Sequence, residues 1–196
     1  SVTATNNESK TTVLSGKIVV NAVAPVITKP ASTTISATQG VAITPITFTS
    51  DVAATFNVTG LPAGLSATPA ADGKSVTISG TPTGYGTSNF TVSATAYGKT
   101  SSVSGSVTVA QKLPTLVLTS GSANQTVNVN AAISTIKYTA SGSAASIKVD
   151  GLPNGVTATI SGLVATISGK PSEIGTFNFS VTATNNESKT TVLSGK

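Results

Sequence analysis

The sequence predicts an all-β chain built from tandem antiparallel β-sandwiches. Three observations carry this reading. They are the residue types, an alternation of apolar and polar positions with period two, and repeats on two length scales.

The residue types come first. Only 9% of the 196 residues are charged and 38% are apolar. Most of the remainder is Ser, Thr, Gly and Asn. Thr, Val and Ile are β-branched and suit a pleated, half-buried surface. The residues that usually coat helices (Glu, Gln, Arg, Lys, Leu, Met) are scarce.

The alternation follows in chain order. Val41, Ile43, Ile46 and Phe48 predict one buried face, and Phe56 and Val58 the next strand. Val76 and Ile78 alternate with Ser75, Thr77 and Ser79. Phe90, Val92, Ala94 and Ala96 alternate with Thr91, Ser93 and Thr95, and Val103, Val107 and Val109 close the set. The same order recurs as Ile133, Ile136 and Tyr138, then Ile147 and Val149, Val164 and Ile167, and Phe179, Val181 and Ala183. Such runs bounded by Gly, Pro, Asn and Ser indicate half-buried antiparallel strands. Asp72-Gly73 is a hairpin signal between residues 65–68 and 75–78, and Ser161-Gly162 serves the same hairpin in the second set. Glycine loops of this kind would cradle phosphate only if a helix followed, and none is predicted.

The repeats set the domain count. Residues 1–17, SVTATNNESKTTVLSGK, are identical to residues 180–196, so the long period is 179 residues. Inside it, Gly60-Leu61-Pro62-Ala63-Gly64 returns as Gly151-Leu152-Pro153-Asn154-Gly155. Gly80-Thr81-Pro82 returns as Gly169-Lys170-Pro171, and Gly105 as Gly195, giving a short period of about 90 residues. That length suits a seven-strand sandwich of about 100 residues. The predicted organisation is residues 1–23 as the last two strands of a preceding module, 24–110 as module 1, and 111–196 as module 2 with its last strand cut short. The missing piece should read Ile-Val-Val, as at Ile18-Val19-Val20. A bare two-stranded hairpin is not stable alone in water. The hairpin of residues 1–20 is therefore expected to complete the second module of a neighbouring molecule, head to tail.

The absences exclude several functions. There is no Cys, His, Trp or Met, and all 11 basic residues are Lys. Disulfides and thiolate zinc sites are excluded. The commonest general base and the commonest thiol nucleophile are missing. The net charge of +5 comes from lysines spread singly along the chain, which argues against a nucleic-acid surface. No apolar stretch approaches the roughly 20 residues needed to span a bilayer.

The pattern from Leu61 to Ala96 resembles the cadherin- and dystroglycan-like immunoglobulin modules of bacterial surface proteins. The residues that carry it are Leu61-Pro62-Ala63-Gly64-Leu65, Ile78-Ser79-Gly80-Thr81-Pro82, Gly86-Thr87, and the strand Phe90 to Ala96. Residues 152–184 match with drift, Val156 and Lys170 standing where Leu and Thr are usual. The resemblance implies tandem immunoglobulin-like antiparallel β-sandwiches at an extracellular surface, serving as stalks, spacers or adhesive units. It does not by itself choose among these roles.

Candidate chemistry is sparse. Cadherin-type calcium needs clustered acids, yet both junctions, residues 20–25 and 110–114, carry none. No interdomain calcium and no cofactor are expected. The six acids show no close pair in sequence, so no catalytic site is expected and the chain is read as a non-enzyme. Lys148 and Asn178 lie on strands, but no acid is placed to drive an isopeptide bond between them. Asn-x-Ser/Thr triplets begin at Asn7, Asn57, Asn89, Asn124, Asn178 and Asn186, as chance allows in a Ser/Thr-rich chain. Tyr85 and Tyr97 are the candidate ligand contacts, for a glycan or for a host or cell-surface protein. Turn packing competes with that role at both, since aromatic anchors matter most when clustered in a pocket. The function expected is a stalk or spacer, with an adhesive module and a strand-exchanging filament subunit as alternatives.

Overall fold

A computed structural model describes residues 1–196. The first residues form a free hairpin of β1 (Val2–Thr5) and β2 (Thr11–Leu14). Residues 15–26 follow without secondary structure. The strands then come in two sets. The first holds β3 (Ile27–Thr28), β4 (Thr34–Thr38), β5 (Ile46–Ser50), β6 (Thr55–Thr59), β7 (Leu65–Pro69), β8 (Ser75–Gly80), β9 (Gly86–Ala96) and β10 (Lys99–Ala110). The second holds β11 (Pro114–Ser120), β12 (Ile136–Gly142), β13 (Ala144–Asp150), β14 (Val156–Ser161), β15 (Val164–Gly169), β16 (Phe179–Asn185) and β17 (Thr190–Gly195). No helix is long and apolar enough to cross a membrane.

In the first set one sheet runs β3-β5-β8-β7 and the other β4-β10-β9-β6. The second set repeats this as β11-β12-β15-β14 and β13-β16-β17. In strand letters these are the A-B-E-D and C-F-G sheets of an immunoglobulin-like sandwich. β4 is an extra strand that crosses to the second sheet and runs parallel to β10, pairing Ser106↔Thr34 through Ala110↔Thr38. All other pairings are antiparallel.

Each sandwich has its own core. The first packs Phe48, Val76 and Ile78 of one sheet against Phe90, Val92, Val107 and Val109 of the other. The second packs Tyr138, Ala165 and Ile167 against Phe179, Val181 and Ala183. A pair of rings bridges the sheets in each. Phe48 meets Phe90 edge to face at 6.2 Å, and Tyr138 meets Phe179 at 6.5 Å. Both ring pairs join the B and F strands, the strands that carry the bridging disulfide in antibody domains.

Beside each F-strand ring sits a glycine on the next strand. A side chain at Gly105 would collide with the Phe90 ring and the Thr33 carbonyl, and one at Gly195 with the Phe179 ring and the Ala123 carbonyl. The recurrence of these glycines at the short period therefore reports ring packing rather than a turn.

Two expected core positions differ. Val41 is exposed, because residues 39–42 turn at Gly40 (φ +76°) before β5 begins at Ile46. Val164 is half-buried while Ala165 is fully buried. Alternation counted back from Ile167 selects residue 165, and the pleat outranks the larger side chain.

Tyr138 has one uncomfortable atom. Its hydroxyl is buried without a hydrogen-bond partner. Burial pushes the phenol above its ordinary pKa of 10.0. An orphaned hydroxyl costs roughly 1–3 kcal/mol. Tyr138→Phe, the residue found at the equivalent Phe48, is expected to stabilise the second sandwich by about 1 kcal/mol in thermal unfolding. The pH dependence has a definite sign. The folded state holds the phenol proton more tightly than the unfolded state, so this contribution is intact below pH 10 and declines as pH rises above it. Alkaline loss of stability in the second sandwich should be smaller in the Tyr138→Phe variant.

Candidate functional site

The residues with most to say about function lie at the two ends of the second sandwich. At its inner end, residues 111–113 link the two sandwiches, and the hairpin between β16 and β17 closes over them. Asn185 organises that hairpin. Its side-chain oxygen accepts from the N–H groups of Glu187 (3.0 Å) and Lys189 (2.9 Å), and Ser188 takes φ +60°. This fixes Glu187, whose carboxylate accepts from Gln111 N–H at 2.8 Å. The Asn185 amide donates to the Lys112 carbonyl at 3.0 Å, and Thr191 donates to the Pro114 carbonyl at 2.6 Å. Ser143 also donates to the Lys112 carbonyl. The linker is thus held by directional bonds to the backbone of Gln111, Lys112 and Pro114.

The free hairpin at the start of the chain is the same seventeen residues without this environment. Asn6 accepts from Glu8 N–H (3.0 Å) and Lys10 N–H (2.9 Å), and Ser9 takes φ +55°. The register is also the same: Val2↔Leu14 and Thr5↔Thr11 match Val181↔Leu193 and Thr184↔Thr190. The turn bonds and the register are therefore the same in both settings. Seating decides its burial: Val181 is fully buried, while its twin Val2 is 73% exposed.

At the outer end of the second sandwich lies a groove of about 600 Å³. One wall is the backbone of Gln125 to Val129 and the other Gly175 to Phe177, with Ile133, Ile136, Val156 and Phe179 in its floor. In the first sandwich the same walls are β4 and the start of β9, and β10 runs between them to Ala110. β17 stops at Gly195. Only Lys196 reaches across, donating to the Ala123 carbonyl (2.9 Å) and accepting from Gln125 N–H (2.8 Å).

The two tyrosines singled out from sequence are not brought together. Tyr85 lies before β9 at the inner joint, where its hydroxyl accepts from the Asn186 amide of the second sandwich at 3.4 Å. Tyr97 lies at the β9–β10 hairpin tip, 73% exposed with φ +52°, at the opposite end of the first sandwich. Lys148 forms an exposed ion pair with Asp150 at 2.8 Å. The groove lies beside the end of β17, where the alignment of Gly195 with Gly105 predicts a shortened last strand.

Strand order, crossing A strand and repeated core together define a protein of tandem immunoglobulin-like β-sandwiches. No family model matches the chain, and no curated protein matches it. Solved structures similar to it include tandem immunoglobulin-like domains. The titin domains z1z2 in complex with telethonin share 10% identity at a TM-score of 0.47, over 89% of this chain and 95% of that one. The Yersinia pseudotuberculosis adhesin InvE shares 15% at 0.39, over 87% and 57% respectively. An endo-fucoidan hydrolase from glycoside hydrolase family 107 shares 18% at 0.38, but this chain spans only 32% of it.

Proposed function

We propose that this chain is a structural spacer from a repetitive extracellular surface protein, non-enzymatic, in which sandwiches in series hold a functional tip away from the cell. The observation that carries the reading is the duplicated hairpin. One copy is seated in a sandwich and the other is displayed with the same turn and register, as the end of a preceding unit would be. On this reading residues 1–23 are the last two strands of such a unit, and 24–110 and 111–196 are its successors. The clamped linker supports it, because a spacer must resist bending at its joints. Arrays of this kind gain their stability mainly from each module and its nearest neighbours.

Immunoblotting source cells on a large-pore denaturing gel with an antibody to this segment tests the reading. A spacer predicts a band of many units' mass. A band near the 19.2 kDa of this chain would sink it. A second reading, adhesion to a glycan or cell-surface protein, draws on Tyr97, the one large ring displayed at a hairpin tip. It predicts binding that Tyr97→Ala abolishes.

A further inference from the structure

We propose that the hairpin of residues 185–191 locks the two sandwiches into one rigid unit, and that residues 21–24, which no such hairpin holds, are a pivot ahead of it.

Two domains in one chain move against each other unless something fixes them. Apolar packing does not fix these. The two cores share no residue, and Leu113, the one large apolar side chain of the linker, is 57% exposed. Directional bonds do fix them. Glu187 accepts from the Gln111 N–H, Asn185 and Ser143 both donate to the Lys112 carbonyl, and Thr191 donates to the Pro114 carbonyl. The Asn186 amide reaches the first sandwich itself, at the Tyr85 hydroxyl. Gln111 and Asn185 are buried, so water competes poorly for these bonds. The bond to the Glu187 carboxylate is charge-assisted, the stronger kind. Asn185 also holds the turn with its side-chain oxygen, so Glu187 is in place before the linker meets it.

The first sandwich has a hairpin at the same position without the lock. By the short repeat, Ala22, Val23, Ala24 and Pro25 stand where Gln111, Lys112, Leu113 and Pro114 stand. Ala96 stands where Asn185 does, and it has no amide. Between Ala96 and Lys99 lie only Tyr97 and Gly98, whereas Asn186, Glu187 and Ser188 lie between Asn185 and Lys189. The longer turn is the one that brings a carboxylate. Residues 21–24 make no backbone hydrogen bond, and Val23 is 74% exposed. The first hydrogen bond to the sandwich comes at Val26, whose N–H donates to the Asp51 carboxylate at 2.7 Å. The β9–β10 hairpin is complete, so the lock is missing by residue type. A few loop residues of this kind absorb the dihedral change of a hinge.

The lock stands on these contacts alone. Its effect along an array rests on the spacer reading. With a long period of 179 residues, locked and free joints would alternate, and bending would fall on every second one. Immunoblotting tests that reading separately.

Distances between two spin labels on the full chain test the lock. The chain has no cysteine, so Ser66→Cys and Thr159→Cys, exposed and one in each sandwich, give the only two label sites. The labelled chain should show one narrow distance distribution. Asn185→Asp/Glu187→Ala should broaden it severalfold, since Asp keeps the acceptor that the turn needs but loses the amide that donates to Lys112. Glu187→Ala alone, which leaves the turn untouched, should broaden it less. Lys112→Val/Leu113→Ala gives the locked linker two side chains of the free one. It should leave the distribution narrow, because the bonds are to backbone. Amide NMR relaxation tests the pivot, with order parameters of about 0.85 expected at residues 111–113 and below about 0.6 at 21–24. A broad distribution before any lock residue is changed overturns the lock. So does one that both lock variants leave narrow. Broadening by the linker variant would assign the stiffness to the linker's own side chains and overturn the role of the hairpin. Residues 21–24 as ordered as 111–113 would overturn the pivot.

Discussion

Phe90→Ala is expected to unfold the first sandwich at far lower temperature and leave the second where it was. Phe90 is fully buried, meets Phe48 edge to face, and fills the space that Gly105 leaves open. Truncating a buried Phe to Ala costs roughly 3–5 kcal/mol, part transfer and part cavity. For a sandwich of this size that lowers the midpoint by roughly 15–30 °C. The two cores share no residue. Calorimetry should therefore show one transition moving and the other fixed. A common shift of both would mean that the sandwiches unfold as one unit.

Gly80→Ala is the second large effect, and it explains the two motifs that carry the family resemblance. The Leu-Pro-x-Gly turn and the Ser-Gly-Thr-Pro segment are two sides of one contact. Thr81 N–H donates to the Gly64 carbonyl at 2.9 Å, and Thr83 N–H to the Ala63 carbonyl at 3.0 Å. Gly64 (φ +90°) and Gly80 (φ +126°) lie so close that a Cβ on Gly80 would strike the Gly64 carbonyl. Both the φ and the collision are backbone effects, with no flexible side chain to yield. Strain of this kind costs roughly 1–3 kcal/mol for the dihedral alone, and the overlap adds a comparable amount. A total of about 3 kcal/mol is expected, read as a lower midpoint for the first sandwich only. Gly169→Ala should do the same to the second, where Gly169 approaches the Gly155 carbonyl. A loss under about 0.5 kcal/mol, the size of an ordinary surface change, would show that the loop can shift and that the glycines are not required.

Much of this fold was legible in the sequence because local rules and tertiary packing agree. Phe48, Ile78, Val92 and Val181 sit where alternation puts them, fully buried. The Asp72-Gly73 turn forms, with the Asp72 carboxylate accepting from Lys74 N–H at 2.9 Å and Gly73 at φ +66°. What was not legible is non-local. The parallel pairing of β4 with β10 joins residues about 70 positions apart and leaves no turn signal between them. Glu187 looks like an isolated surface acid in sequence, and only the fold brings it to Gln111 N–H. Tyr85 is exposed, as its place in a glycine turn suggests, but the contact of its hydroxyl with Asn186 of the second sandwich comes only from the fold.

The pairing of β4 with β10 also has a mechanical meaning. β4 lies near the start of the first sandwich and β10 at its end, and they run in the same direction over five paired positions. A pull on the two chain ends slides these strands along each other and loads all five rungs at once, instead of peeling them singly. Resistance to such a pull is set by the unfolding barrier and not by equilibrium stability.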